Sequence, residues 1–154
     1  MPLKTIEISN RKAGHHYSIL ESVEAGVVLT GPEIKSIRSG GGDLAHSYAR
    51  IENGEAWLHS FHIAPYSHGN RANPEPDRPR KLLLHKAEIY RFLGQIEKGG
   101  SRALVPLKGY FKDGRFKILV GLGAGKTHRD RRQDLIKRQA DREVSRELAN
   151  RRRR

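Results

Sequence analysis

The sequence contains no cysteine, a single methionine, a single tryptophan and only 6% aromatic residues among its 154 positions. Without thiols there is no disulfide framework, no cysteine-ligated zinc and no thiol nucleophile. No run approaches the ~18 apolar residues of a membrane span, and the N-terminal residues lack the apolar stretch of a signal peptide. The chain is therefore expected in the cytoplasm, with no membrane partner. Acidic residues are also scarce, 17 against 30 Lys and Arg, which leaves a formal charge of +13. A chain of this length is expected to fold as one domain with its own core. The charge excess points to a polyanion, and to nucleic acid before acidic lipid, because no long basic segment carries bulky apolar anchors.

The charge is uneven. Residues 126–154 hold 12 basic and 5 acidic side chains, a net +7, with no Gly, Pro or aromatic residue. They end in Arg151, Arg152, Arg153 and Arg154. Ile136, Ala140, Val144 and Leu148 recur every four residues, so a helix would align them along one narrow stripe. That stripe is too thin to fold unaided. The expected organisation is a body over 1–125 and a basic tail over 126–154, disordered when free and helical once laid on an anionic surface.

The body reads as strands. Asn53-Gly54 separates two alternating runs in Ser47–His62, and Asp113-Gly114 does the same in Val105–Gly121, both strong hairpin signals. In the first hairpin Ile51/Ala56, Ala49/Leu58 and Ser47/Ser60 should face the core, with Tyr48/His59 and Arg50/Trp57 on the other face. In the second, Phe111/Phe116, Gly109/Ile118 and Leu107/Val120 should face inward, with Tyr110/Lys117, Lys112/Arg115 and Lys108/Leu119 outward. Both outer faces mix aromatic rings with cations, the combination that stacks on bases and neutralises phosphate. Tyr17–Leu29 is another extended segment, with a bulge or bend expected at Ala25-Gly26. Thr30-Gly31-Pro32-Glu33 opens a short helix with Ile34 and Ile37 inward, and a second helix spans about Lys86–Lys98 through Ile89, Phe92, Leu93 and Ile96. Tyr66–Arg80 reads as a surface loop. The pattern predicts a mainly β protein: a small antiparallel barrel of the OB type with two or three short helices and a disordered basic C-terminal tail.

Catalytic readings fail on spacing. Gly121 to Thr127 imitates a phosphate-binding loop, but the first glycine would have to stand where Val120 is, and the antiparallel pattern offers no parallel core behind it. His59 and His62 point to opposite faces of a strand and lack the ligands to complete a metal shell. No enzyme activity, cofactor or metal is expected.

The blocks Asn10-Arg11-Lys12-Ala13 with His15 and Tyr17, Glu24-Ala25-Gly26, Gly31 to Arg38, Asp43-Leu44 with Ser47-Tyr48, Asn53 to Leu58, Arg80 to His85, Pro106-Leu107-Lys108 with Tyr110, and Gly125-Lys126 before Asp130-Arg131-Arg132 run in order through the chain. They resemble the small protein B family, the bacterial SsrA-binding proteins that partner transfer-messenger RNA, over about residues 5–150. The resemblance implies an OB-type barrel that binds the tRNA-like domain of that RNA. With elongation factor Tu, engaged indirectly through the RNA, it would bring the RNA to ribosomes stalled on messages lacking a stop codon. The tail would then enter the vacant messenger channel by the decoding centre and fold there as a helix, enabling ribosome rescue and peptide tagging. By resemblance Glu24, Leu83 and Lys117 belong to the RNA-binding set, and Tyr17, Tyr48 and Lys126 match further family positions. Arg11, Lys12, His15, Lys35, Arg38, Lys81, His85, Lys108 and Tyr110, from the same blocks or the outer hairpin faces, complete the candidate RNA-binding residues. The candidate ribosome-binding tail residues are Arg129, Asp130, Arg131, Arg132, Ile136, Lys137 and Arg138. Position 129 is arginine where the family often has His or an aromatic, and position 85 is His where some members have Asn. Leu83 divides the two lines of reasoning, because its alternation alone would make it core. A general RNA-binding or ribosome-associated OB barrel with a basic tail shares the composition, and only the motif blocks separate it from the first reading.

Overall fold

The computed structural model describes residues 6–153. The first five residues of the expected barrel and Arg154 of the arginine run lie outside them. In chain order the elements are β1 (Glu7–Ser9), α1 (Arg11–His16), β2 (Tyr17–Val27), α2 (Gly31–Arg38), β3 (Gly42–Asp43), β4 (Tyr48–Glu52), β5 (Glu55–His59), β6 (His62–Ile63), a 3₁₀ turn (Asn70–Ala72), β7 (Arg80–Leu83), α3 (Lys86–Glu97), β8 (Arg102–Lys112), β9 (Arg115–Gly125) and α4 (His128–Arg152).

Both hairpins turn where the dipeptides place them. Asn53 and Gly54 have φ of 51° and 74°, and Asp113 and Gly114 have φ of 51° and 77°, the left-handed pair that lets a two-residue turn follow the strand twist. In the first hairpin Ile51 pairs with Ala56, Ala49 with Leu58, Arg50 with Trp57 and Tyr48 with His59. The expected Ser47/Ser60 pair does not form: β4 starts at Tyr48, Ser60 turns out at φ 57°, and the Ser47 hydroxyl donates to the Leu44 carbonyl at 2.7 Å.

The second hairpin keeps Phe111/Phe116, Gly109/Ile118 and Tyr110/Lys117, then slips. Pro106, not Leu107, faces Val120, because the register shifts between Pro106 and Lys108. Proline has no N–H to continue the ladder, and the extra residue is taken up as a bulge. The backbone N–H of Asn10 donates to the Leu107 carbonyl at 2.9 Å. The bulge in β2 likewise sits at Leu20, between Ile19 and Glu21, rather than at Ala25-Gly26.

The strands close in the circuit β8–β4–β5–β7–β2–β9 and back to β8, with β1 laid on the free part of β8 and a separate pair β3–β6. This is the antiparallel OB-like barrel, with α1 and β1 as elements the sequence pattern did not announce. Alternate residues of the long strands point inward, so Ala25, Ala49, Ala56, Leu58, Leu82, Leu104, Phe116, Ile118, Val120 and Leu122 fill the interior with Ile37 of α2 and Phe92 of α3. The capping box at Thr30 forms: the Thr30 N–H donates to Glu33 Oε1 at 2.9 Å, and the Glu33 N–H donates to the Thr30 hydroxyl at 3.4 Å.

Glu33 does more than cap. With 2% of its surface exposed it takes hydrogen bonds from Arg78 and from Arg80 Nε at 2.6 Å, and Arg80, fully buried, also donates to the carbonyls of Phe61, Arg78 and Pro76. Burial pushes the Glu33 carboxyl up, but the hydrogen bonds from Arg78, the Thr30 amide and Arg80 outweigh it and hold the group below the usual carboxylate value. The segment Tyr66–Arg80 is therefore anchored at its end by a buried ion pair, and Asn73 ties its middle to Tyr66 through bonds of 3.0 and 2.9 Å. Among the described residues no helix is long and apolar enough to cross a membrane.

The tail, expected as disordered when free, is one helix in this structure. Its start is set by a second capping box, in which the Asp130 N–H donates to the Thr127 hydroxyl at 3.2 Å and the Thr127 N–H donates to Asp130 Oδ2 at 3.2 Å. No residue of α4 is buried, and Leu135, Ile136, Val144 and Leu148 are each more than half exposed.

Candidate nucleic-acid interface

Strand β2 changes partner at Gly26, which is opposite Lys117 of β9 on one side and Leu83 of β7 on the other. Residues directly opposite share a sheet face, so Leu83 and Lys117 stand on either side of a position with no side chain. A Cβ on Gly26 would meet the Leu83 Cβ at 3.3 Å, which shows how closely Leu83 covers the gap. Leu83 is 54% exposed, so the core assignment from alternation is wrong. Glu24, two residues back along β2, lies on the same face, opposite Leu119, which is itself opposite Lys108. The structure thus brings Glu24, Leu83, Lys108, Tyr110 and Lys117 onto one outer face. A groove beside them is lined by Gly26, Val27, Leu29, Ile34, Leu83, Arg115 and Lys117.

The polar groups of this face are tied to one another. The Tyr110 hydroxyl donates to Glu24, and Lys112 Nζ lies 3.5 Å from the other carboxylate oxygen. The Tyr110 bond, followed by the charges of Lys112 and Lys117, holds the Glu24 carboxyl below its usual value against partial desolvation. Desolvation first, and then the Glu24 carboxylate, push the Tyr110 phenol up to about 12. Lys108 Nζ sits 5.7 Å from the centre of the Tyr110 ring. Tyr110 is therefore a braced ring with its hydroxyl occupied, and Glu24 is an oriented carboxylate with lone pairs to spare. Lys112, read from sequence only as part of an outer pair, joins the site through Glu24.

A second group gathers at the other end of β2, up to about 30 Å of strand away. Arg11, Lys12 and His15 are exposed on α1, and Tyr17 begins β2 opposite Gly125. A cleft there is lined by Asn10, Lys12, His16, Tyr17, His46 and Ser47, which leads to Tyr48. Tyr48 is 45% exposed and stacks on His59 at 5.1 Å with the planes 12° apart. The false phosphate loop is explained here. Gly121 and Gly123 lie within β9, and a Cβ on Gly123 would come within 2.8 Å of the Tyr17 Cβ. These glycines make room for Ile19, Leu107 and Tyr17 rather than for a nucleotide.

Lys126 does not stand free. Its ammonium donates to the Gly14 carbonyl at 2.8 Å and to Asp134, and its backbone N–H donates to the His16 carbonyl at 2.9 Å. The remaining candidates are scattered. Arg38 covers the Phe111 ring at 4.1 Å and Lys35 approaches the Tyr66 ring at 5.7 Å. Lys81 pairs with Glu55 at 3.2 Å, and exposed His85 precedes α3 with its N–H on Glu88 at 3.1 Å. In the tail, Arg129, Arg132, Ile136, Lys137 and Arg138 are exposed, Arg131 is half-buried, and Asp130 is occupied by the cap, whose bonds from Thr127 lower its carboxyl.

The family model for the SmpB protein matches residues 7–150. The chain belongs to the SmpB family. It is 54% identical over 145 residues to the SsrA-binding protein of Desulforudis audaxviator, covering 94% of each chain, and 54% identical over 144 residues to that of Enterococcus faecalis, covering 94% of this chain and 93% of the relative. A solved structure described as "tmRNA-SmpB: a journey to the center of the bacterial ribosome" superimposes with a TM-score of 0.66 at 46% identity, over 84% of this chain and 94% of that one. The expected family membership and the OB-like barrel are both borne out by these matches.

Proposed function

We propose that this protein binds the tRNA-like domain of transfer-messenger RNA on its barrel and carries it to ribosomes stalled on messages lacking a stop codon, with elongation factor Tu engaged through the RNA. The observation that carries the reading is the meeting of Glu24, Leu83 and Lys117 around Gly26 in a chain of the SmpB family. Chemically this is an RNA-reading surface: an ammonium for phosphate, an oriented carboxylate for base amino groups or ribose hydroxyls, and an exposed apolar side chain to pack on an unstacked base or sugar. The α1 cations, Tyr17 and Tyr48 form a second patch that supports contact with a large, folded RNA at two places.

The tail then enters the empty messenger channel. Alone it is a weak helix: it buries nothing, carries most of the net charge and repels itself, so its outer turns fray in the free protein and order where phosphates surround them. The test is binding of the tRNA-like RNA against excess unrelated RNA at rising salt. Leu83→Ser should weaken binding about tenfold at every salt concentration, whereas a nonspecific phosphate binder would lose its preference altogether. Normal binding by folded Leu83→Ser and Lys117→Ala variants would overturn the assignment of this face. Loss of preference in the parent chain would leave only a general RNA-binding barrel.

A further inference from the structure

We infer that Lys126, seated on the carbonyl end of α1 and paired with Asp134 of the tail helix, sets the direction in which that helix leaves the barrel, so that Lys126 positions the tail instead of contacting RNA. The inference rests on the tail's role under Proposed function only for its consequence in tagging.

Because no residue of α4 is buried, packing does not orient the helix. What holds it lies in its first two turns. Thr127 and Asp130 fix where the helix begins. The Lys126 side chain, 12% exposed, runs alongside those turns like a strut, donating to Asp134 of the helix and to the Gly14 carbonyl of the body. Its own backbone is pinned by His16, and that of Gly125 by the Ser101 carbonyl at 3.0 Å. The chemistry fits from both sides. The last carbonyls of α1 have no partner within their own helix and favour a cation. Asp134, whose carboxyl the Lys126 bond lowers most, answers that cation from α4. Arg131 is half-buried in the same two turns, and its charge, after local desolvation, lowers the His16 imidazole. The two acids nearest the root of a basic tail thus have separate tasks, Asp130 as cap and Asp134 as clasp.

The lever is long. From Asp134 to Arg152 the helix extends roughly 27 Å, so a tilt of about 10° at the root moves its tip about 5 Å, one helical turn. Since α1 also presents Arg11, Lys12 and His15, RNA that grips α1 acts on the strut's anchor.

The chain has no cysteine, so paired labels can be placed without background. Spin labels at Glu97→Cys and Gln139→Cys in the full chain report the distance between the body and the first turn beyond the clasp. The parent should show one narrow distance population. Asp134→Asn should shift it toward undocked orientations by roughly two- to fivefold, the scale of a partly exposed charged pair, and Lys126→Met by more, since both bonds are lost. Affinity of Asp134→Asn for the tRNA-like RNA should stay within about twofold, since Asp134 is not one of the residues proposed to touch the RNA, while tagging falls with the docked fraction. Identical distance distributions in parent and variants overturn the inference. So does a loss of helicity by circular dichroism that accounts for the shift, or weakened RNA binding by Asp134→Asn with distances unchanged. Shifted distances with normal tagging would leave the strut standing and refute the tail's role in tagging.

Discussion

Glu24 separates recognition from attraction, because the two mechanisms predict opposite signs for its removal. The protein carries +13, and a carboxylate on the proposed RNA face would repel phosphate. A phosphate about 8 Å away in water is repelled by about 0.5 kcal/mol, and screening at physiological salt takes roughly half or more of that. Deleting the charge should therefore tighten a purely electrostatic complex by at most about twofold. Recognition predicts more, in the other direction. Glu24 accepts one hydrogen bond from Tyr110 and faces Lys112 at 3.5 Å, which leaves lone pairs directed outward. A hydrogen bond from RNA to a charged acceptor contributes about 1.5–3 kcal/mol. The balance is a loss of about 1–2.5 kcal/mol, or roughly 5- to 70-fold in affinity, for Glu24→Ala. Glu24→Gln keeps an acceptor of the same shape and should recover part of it. Titrations of labelled tRNA-like RNA at several salt concentrations check this, with urea unfolding as the control for Tyr110's lost acceptor. The loss should be about constant with salt, since Glu24 neutralises no phosphate and does not enter the slope. Tighter binding of both variants at every salt concentration would refute the reasoning.

Other outcomes follow from the packing. Arg80→Met removes a buried cation, leaves Glu33 with Arg78 as its one arginine partner and strands the Phe61 and Pro76 carbonyls, so urea unfolding should show a loss of about 3–5 kcal/mol, and adding Glu33→Gln should cost less than the sum of the two. Gly123→Ala places a methyl 2.8 Å from the Tyr17 Cβ and should lower stability by about 1–3 kcal/mol in the same assay, with a shift of the Tyr17 resonances. The Tyr110 phenol titrates about 12 when folded against an ordinary 10.0, so folding favours its neutral form. That contribution is complete below pH 10.0 and is lost as the pH rises to about 12, visible as a late phenolate absorbance step absent from Tyr110→Phe.

Much of what depends on neighbours along the chain was legible in the amino-acid sequence, although the short helix α1 and the cap at Thr127 were not. The turns at Asn53-Gly54 and Asp113-Gly114, the cap at Thr30, the alternation of both hairpins and the isolation of a basic tail are all local, set by backbone sterics, period and charge within a few residues. The motif blocks extended this to the family and to Leu83, against the evidence of alternation. Closure of the barrel decided the rest. Leu83 faces outward beside Lys117 only because β2 exchanges β9 for β7 at Gly26, a pairing between residues more than fifty positions apart. Leu107 leaves the expected register because Pro106 interrupts a ladder whose partner strand is known only after folding. Glu33 reads as a helix cap until Arg78 and Arg80 arrive from a distant segment, and Lys126 meets the Gly14 carbonyl only once α1 and the root of the tail come together. A charged side chain's role is set by which opposite charges and open carbonyls come within about 3 Å of it, and in this protein those groups arrive from parts of the chain that meet only when the sheet closes.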